Sequence, residues 1–263
     1  MGISVLNVLL DTKNWKEYFT NRLKEIVVDN DYLKTLDAEE LEIIQTKLLK
    51  AQFKNHDIDK EGSFLNFFQL HLHHFISEPF REDVSTEVLM MDSEKGENFF
   101  NVSDKVRYVC RSSGGKIQED IGWKPDEGEF EEIKSLKITI QYPASHEISG
   151  KRITLYEEVG EDLNKALAGG VRKPIEKEHA VDGLIVITES EYVVEKGKFQ
   201  YWQMAHPTRN FDITITYPEN KTIQFKTLVL EDNVSHITQS KGYLKFNYGT
   251  WSLPQSGMAW LIK

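Results

Sequence analysis

Cysteine is almost absent: Cys110 is the only thiol in 263 residues. No internal disulfide can form, and nothing marks an oxidising compartment. Long apolar runs are missing too, since no stretch approaches the roughly 18 residues needed to span a bilayer as a helix. Positive charge is in deficit, with 32 Lys and Arg against 42 Asp and Glu and a formal charge of −10. Such a chain has no general means of neutralising phosphates, and no dense basic face appears, so a nucleic-acid partner is not expected. Residues 1–84 carry 10 basic and 15 acidic side chains, so neither end is a charged tail. Catalytic signatures are lacking as well: there is no Gly-x-Ser-x-Gly elbow, no Gly-x-Gly-x-x-Gly loop and no Cys-x-x-Cys pair.

The chain opens Met-Gly-Ile-Ser-Val-Leu and its first basic residue is Lys13, which disfavours a secretory signal. Leu6 stands where a myristoylation motif has Ser or Thr. A cytoplasmic location is the expectation, and the Asn-x-Ser/Thr triplets at Asn101, Asn220 and Asn233 are then chance matches.

What is present is a folding composition, 40% apolar and 28% charged, with 14 Phe, 10 Tyr and 5 Trp. The first third has a helical period. Trp15, Tyr18, Phe19, Leu23, Ile26 and Val27 form one stripe over 12–28, with Asp11 as N-cap. A second helix is expected over 37–53, with Leu41, Ile44, Leu48 and Ala51 on one face. A third, over 62–77, is apolar almost all round and ends before Pro79.

The period then falls to two. Candidate strands are 85–91, 105–112, 116–123, 135–142, 151–159, 183–194, 198–205, 211–217, 222–230, 243–248 and 257–262, with a short helix at 161–168 ended by Gly169-Gly170. Gly114-Gly115 and Glu195-Lys196-Gly197 read as hairpin turns. The expected fold is α+β: a helical region over 1–84, then a β-rich domain over 85–263 forming a mainly antiparallel sandwich or partly closed barrel. Two segments echo each other, Lys137-Ile-Thr-Ile-Gln-Tyr-Pro143 and Asp212-Ile-Thr-Ile-Thr-Tyr-Pro218. Duplication would explain them, but generic strand composition does so more simply.

Several clusters invite chemistry. His71 and His74 share a helical face with Glu78 one turn on, a set that could hold zinc or iron. The spacing departs from His-Glu-x-x-His, and Pro79 frays the helix there. Cys110-Arg111-Ser112-Ser113-Gly114-Gly115-Lys116 has the look of a phosphate loop but lacks the preceding His, the earlier Gly and the following Ser or Thr. A glycine hairpin accounts for it. The acidic runs Asp126–Glu132 and Glu157–Asp162 match no EF-hand spacing, and Arg172, Lys173 and Lys177 make too thin a basic patch for nucleic acid.

The most distinctive stretch is Trp251-Ser-Leu-Pro-Gln-Ser-Gly-Met-Ala-Trp260. Two Trp flank a Pro–Gly loop, and Tyr201, Trp202 and His206 are candidates for the same side. An aromatic set of this kind serves as a stacking platform or partner surface, or else closes the core. The reading that follows is a non-enzymatic binding protein. Trp251, Tyr201, Trp202 and His206 would contact a small molecule or protein, and the helical part would serve association, as in a sensor or accessory component of a bacterial system. No cofactor is expected, and homo-oligomerisation stays open. The alternative is a hydrolase or metal-dependent enzyme built on His71, His74 and Glu78.

Met258, Trp260 and Ile262 share one face of the last strand, which assigns Trp260 to the core. Trp260→Ala should lower stability by roughly 3–5 kcal/mol, as large core truncations do, and Trp251→Ala by less. Paired melting curves test this, and equal losses would remove the distinction.

Overall fold

The computed structural model describes residues 79–112, 118, 120–125, 128–160, 163–229 and 235–263, together with Glu40, Ile43, Ile44 and Lys47. The chain divides into two units, Met1–Leu72 and His73–Lys263, and the second carries every described strand. In order these are β1 (Phe80–Asp92), β2 (Phe99–Arg111), β3 (Asp120–Trp123), β4 (Glu132–Gln141), β5 (Arg152–Val159), β6 (Val171–Pro174), β7 (Ile185–Glu195), β8 (Gln200–Gln203), β9 (Thr208–Thr216), β10 (Ile223–Leu228), β11 (Ser235–Ser240), β12 (Tyr243–Ser252) and β13 (Gly257–Ile262). One four-residue helix, α1 (Asn164–Leu167), precedes β6.

The expectation of an α+β chain with a three-helix N-terminal region is corrected. Apart from the helical positions Glu40, Ile43, Ile44 and Lys47 and α1, the described residues build a β protein. The stripes at 12–28 and 62–77 lie outside the described residues. The expected sandwich or barrel is also corrected. Eight strands form one open, mixed sheet in the order β11-β12-β9-β1-β2-β7-β4-β5, with a three-stranded sheet β10-β13-β8 and a two-stranded sheet β3-β6 beside it. β1 and β9 run parallel. A period of two says that one face of a strand is buried, and it leaves the strand's partner and direction open. No helix among the described residues is long and apolar enough to cross a membrane.

Alternation sorts the large sheet into two chemically distinct faces. Leu244, Ile215, Val88, Asp104, Ser190 and Leu136 stand opposite one another in a row across six strands. This inner face carries the core, including Val84, Phe211, Ile213, Phe246, Tyr248, Ile138, Ile140 and Val186. One residue along, on the outer face, Glu87, Lys105, Glu189, Lys137 and Glu157 form a row of alternating sign. Within it Lys105 pairs Glu189 at 2.9 Å and Lys137 pairs Glu157 at 2.8 Å. Cross-strand pairs of this kind reinforce register.

The two small sheets pack on the inner face. The Trp202 ring lies 6.1 Å from that of Phe211, and Ile121 of β3 is fully buried in the same core. β8 and β13 approach so closely that a Cβ on Gly257 would sit 1.9 Å from the Trp202 carbonyl oxygen, so only glycine fits there. Gly197 turns the chain after β7 with a φ of 83°, yet the expected hairpin does not form, because β7 and β8 belong to different sheets. The echoed segments β4 and β9 lie in the same sheet, but β5 pairs with β4 while β10 pairs with β13, so the hairpins are not equivalent.

At one end of the sheet the alternation skips a residue in β1 and β9 together. Asp83 and Asn210 take φ values of 50° and 58°, a left-handed conformation that Asp and Asn tolerate better than other side chains. The Asn210 amide donates to the Asp83 carboxylate at 3.2 Å. Pairing resumes beyond the skip, with Glu82 opposite Arg209 and Arg81 opposite Thr208. The parity is now reversed: Arg81 turns inward over the Tyr108 ring, 4.0 Å from its centroid. Glu82 turns outward, where it accepts from Arg111 at 2.7 Å and pairs Arg209 at 2.9 Å.

Asp83→Val should destabilise the fold by about 1–2 kcal/mol, the left-handed penalty for a side chain without local hydrogen bonding. Asp83→Gly should stay within about 0.5 kcal/mol of the parent, since glycine enters this region freely. Urea unfolding of both variants checks the skip, and equal stability for the two would contradict it.

Candidate functional site

Between the inner face and the small sheets lies a cavity of about 760 Å³. Its floor is Val88, Asp104, Val106, Tyr108, Thr188 and Tyr192 of the large sheet. Trp123 and Arg172 of the two-stranded sheet form one wall; Gln200, Tyr201, Trp202 and Trp260 of the three-stranded sheet form another, with Met204 and His206 beyond it. The volume falls in the range of small-molecule sites, as does the mixture of aromatic and polar groups.

The aromatic side is continuous. Trp123 stacks near Phe130 with centroids 6.1 Å apart, and Phe130 contacts Tyr192 at 4.0 Å. The polar side is unusual in how much it leaves unpaired. Arg81 Nε, Asp104 Oδ1, His206 Nδ1 and Trp260 Nε1 are buried atoms without a hydrogen-bond partner among the described residues, and all four residues line this cavity. Thr86 Oγ1, also on the inner face of β1, is a fifth such atom. Each unpaired buried group costs about 1–3 kcal/mol, so several beside one cavity call for an explanation.

The same burial displaces proton affinities. Desolvation, reinforced by Glu129, pushes the Asp104 carboxyl up to about 7. Burial and then the Arg81 charge hold the His206 imidazole down to about 4, against a smaller opposing pull from Asp120. His206 is therefore neutral at pH 7, beside a guanidinium that has no carboxylate partner among the described residues. Asp120 is engaged elsewhere, accepting from Arg172 Nε at 2.8 Å and Nη2 at 2.5 Å. Gln118 joins floor to wall by accepting from the Cys110 thiol at 3.3 Å and donating to the Asp120 carbonyl at 2.6 Å.

The structure gathers Tyr201, Trp202 and His206 around this cavity and leaves Trp251 out. Trp251 pairs with Arg209 in register and so stands on the outer face. It is 51% exposed and packs on Phe80 at 5.0 Å. Trp260 is buried at 3% and lines the cavity. His71, His74 and Glu78 lie outside the described residues, as do Ser113 to Lys116. Cys110 is buried, and burial pushes its thiol up to about 12, far from a nucleophile's range. Among the described residues, Glu176, Glu178 and His179 are the one group of side chains close enough to share a cation, and both carboxylates are exposed.

Sequence reasoning missed Arg81, Asp104, Tyr108, Trp123, Phe130 and Tyr192. For Asp104 a signal existed: it interrupts the apolar alternation Val102, Val106, Tyr108, Cys110 of β2, and a carboxylate on an otherwise buried face needs a reason.

No protein-family model matches the chain, and no curated protein does. Among solved structures, it is similar over 71% of its length to a candidate protease from Parabacteroides distasonis ATCC 8503, with 11% identity and a TM-score of 0.38. The match covers 40% of that protein, so the chain spans well under two thirds of it. A candidate nutrient-binding protein from Legionella pneumophila is matched over 71% of this chain and 68% of its own, with 6% identity and a TM-score of 0.29. Likenesses this distant have no bearing on function.

An aspartate whose folded pKa lies above its ordinary 3.8 contributes stability that is complete below about pH 4 and lost as pH rises through about 7. Asp104→Asn removes that loss. The variant should match the parent near pH 4 and exceed it by on the order of 2–4 kcal/mol at pH 8. Urea midpoints at the two pH values measure the gap, and a constant gap would mean that Asp104 is ionised at both.

Proposed function

We propose that the β unit is a small-molecule binding module and that the aromatic-walled cavity is its site. One observation carries this reading: Arg81, Asp104, His206 and Trp260, contributed by four different strands or loops, all border one cavity, and each has a buried atom unpaired among the described residues. Packing optimised for stability alone pairs such groups or replaces them with apolar ones. A site that must release its ligand keeps them, at the expense of stability. Tyr201, Trp202 and His206 belong to this site in our reading, while Trp251 is a surface residue stacked on Phe80.

The ligand in this reading is polar and carries ring or hydrocarbon surface. Polar groups at the floor fix its orientation, and Trp123, Phe130, Tyr192 and Trp202 cover its apolar faces. A role in binding rests on these contacts and needs no bond-breaking step.

Thr188 projects from the middle of the floor, so Thr188→Phe should occlude the cavity. Melting temperatures of parent and variant against sugars, amino acids, nucleosides and aromatic acids form the test. The parent should be stabilised by at least one class and the occluded variant, with its circular dichroism unchanged, by none. A parent that responds to nothing, or a variant that responds equally, would remove the cavity as the site.

A further inference from the structure

The two ends of the cavity floor differ in charge. Arg81 stands opposite Cys110 in register, and Asp104 lies six residues from Cys110 on β2, about 20 Å along an extended strand. Around the Arg81 end the neighbouring groups are the Tyr108 ring at 4.0 Å, the Cys110 thiol, the Gln118 and His206 side chains, and Asp120, whose charge acts on Tyr108 and His206. Apart from Asp120, none of these is an anion at neutral pH. The lining carboxylates are otherwise occupied. Asp120 holds Arg172, and Glu129 acts on Asp104 and Tyr192, toward the other end.

A half-buried guanidinium stacked on an aromatic ring, with its buried Nε–H unpaired among the described residues, favours a counter-charge. His206 and Trp260, which line the same space, each add a buried nitrogen without a partner among the described residues. Trp260 can only donate, and neutral His206 donates through one ring nitrogen. Such a set suits an oxyanion and has nothing to offer an ammonium group.

Resting on the cavity as the binding site, we propose that its ligand is a small ring-bearing organic anion. Its carboxylate or phosphate lies against Arg81, His206 and Trp260, and its ring lies between the aromatic walls. Arg81 is the specificity-determining residue for that charge.

The test uses the full chain and matched probes at pH 7: indole-3-acetate and 4-hydroxyphenylacetate, the corresponding amides and amines, phenyl phosphate, and inorganic phosphate alone. Affinities come from calorimetry or ligand-observed NMR. At least one ring-bearing anion should bind tenfold or more tightly than its amide. Arg81→Gln should abolish that preference and Arg81→Lys should retain part of it, with unchanged circular dichroism of both variants reporting an intact fold. Amides binding as well as acids, amines binding better, or an Arg81→Gln variant with the preference intact would overturn the anion proposal. In those cases, if Thr188→Phe still blocks the probes, the small-molecule reading survives. Inorganic phosphate binding as tightly as phenyl phosphate would overturn the role of the ring. Failure of every probe would overturn the anion proposal, and failure of the wider panel with it would also remove the cavity reading.

Discussion

A single skipped residue in each of two parallel strands determines what the cavity contains. Had β1 continued its alternation through Val88, Thr86 and Val84, the next inward side chain would have been Glu82. Because Asp83 and Asn210 adopt left-handed backbone at the same level, Arg81 takes that place, and Glu82 passes to the outer face between Arg111 and Arg209. The charge of the cavity end is thus a property of backbone geometry as much as of composition. Both strands must skip together, since a skip in β1 alone would break its ladder with β9.

The inner face is a compromise between core and site. At its flanks, rows such as Leu244–Ile215–Val88 are apolar and close-packed. In its centre Thr86, Asp104, Thr188 and Ser190 interrupt the apolar surface. A core of this size could have been filled with aliphatic side chains, which would have been more stable. The outer face resolves the opposite problem. Its row of alternating charge keeps the sheet wet on that side and penalises misregister, because a one-residue slip would carry lysines and glutamates into the core.

The strands were largely legible in the sequence and their arrangement was not. Of thirteen strands, β6 and β11 went unread. β6 is four residues ending in Pro174 and reads as a basic patch. β11 is an edge strand exposed along most of its length, so it lacks the alternation that identifies a half-buried strand. The parallel pairing of β1 and β9 leaves no local trace, because it joins residues far apart in sequence. Tyr201, Trp202 and His206 were legible as a cluster because they adjoin in the chain. Arg81 was not, since its inward orientation depends on the skip at Asp83. Trp251 reads from the sequence as a neighbour of that cluster, whereas β12 directs it to the other side of the sheet.

The parallel pair also governs when the sheet can be completed during synthesis. Val88 meets Ile215, so more than 120 residues must emerge between them. At about 5–20 residues per second this takes roughly 6–25 seconds. Through that interval β2 can cover one edge of β1 as a hairpin, while the other edge, along Val84 to Leu89, has no neighbour to pair with. An uncovered edge of that length is a template for pairing with a second nascent chain. The inward set Val84 and Val88 invites such pairing, and Glu82, Asp83 and Glu87 place negative charge along the same edge, so that two copies meeting there repel. Residues that tune the outer surface of the finished sheet therefore also guard its first strands before β9 exists.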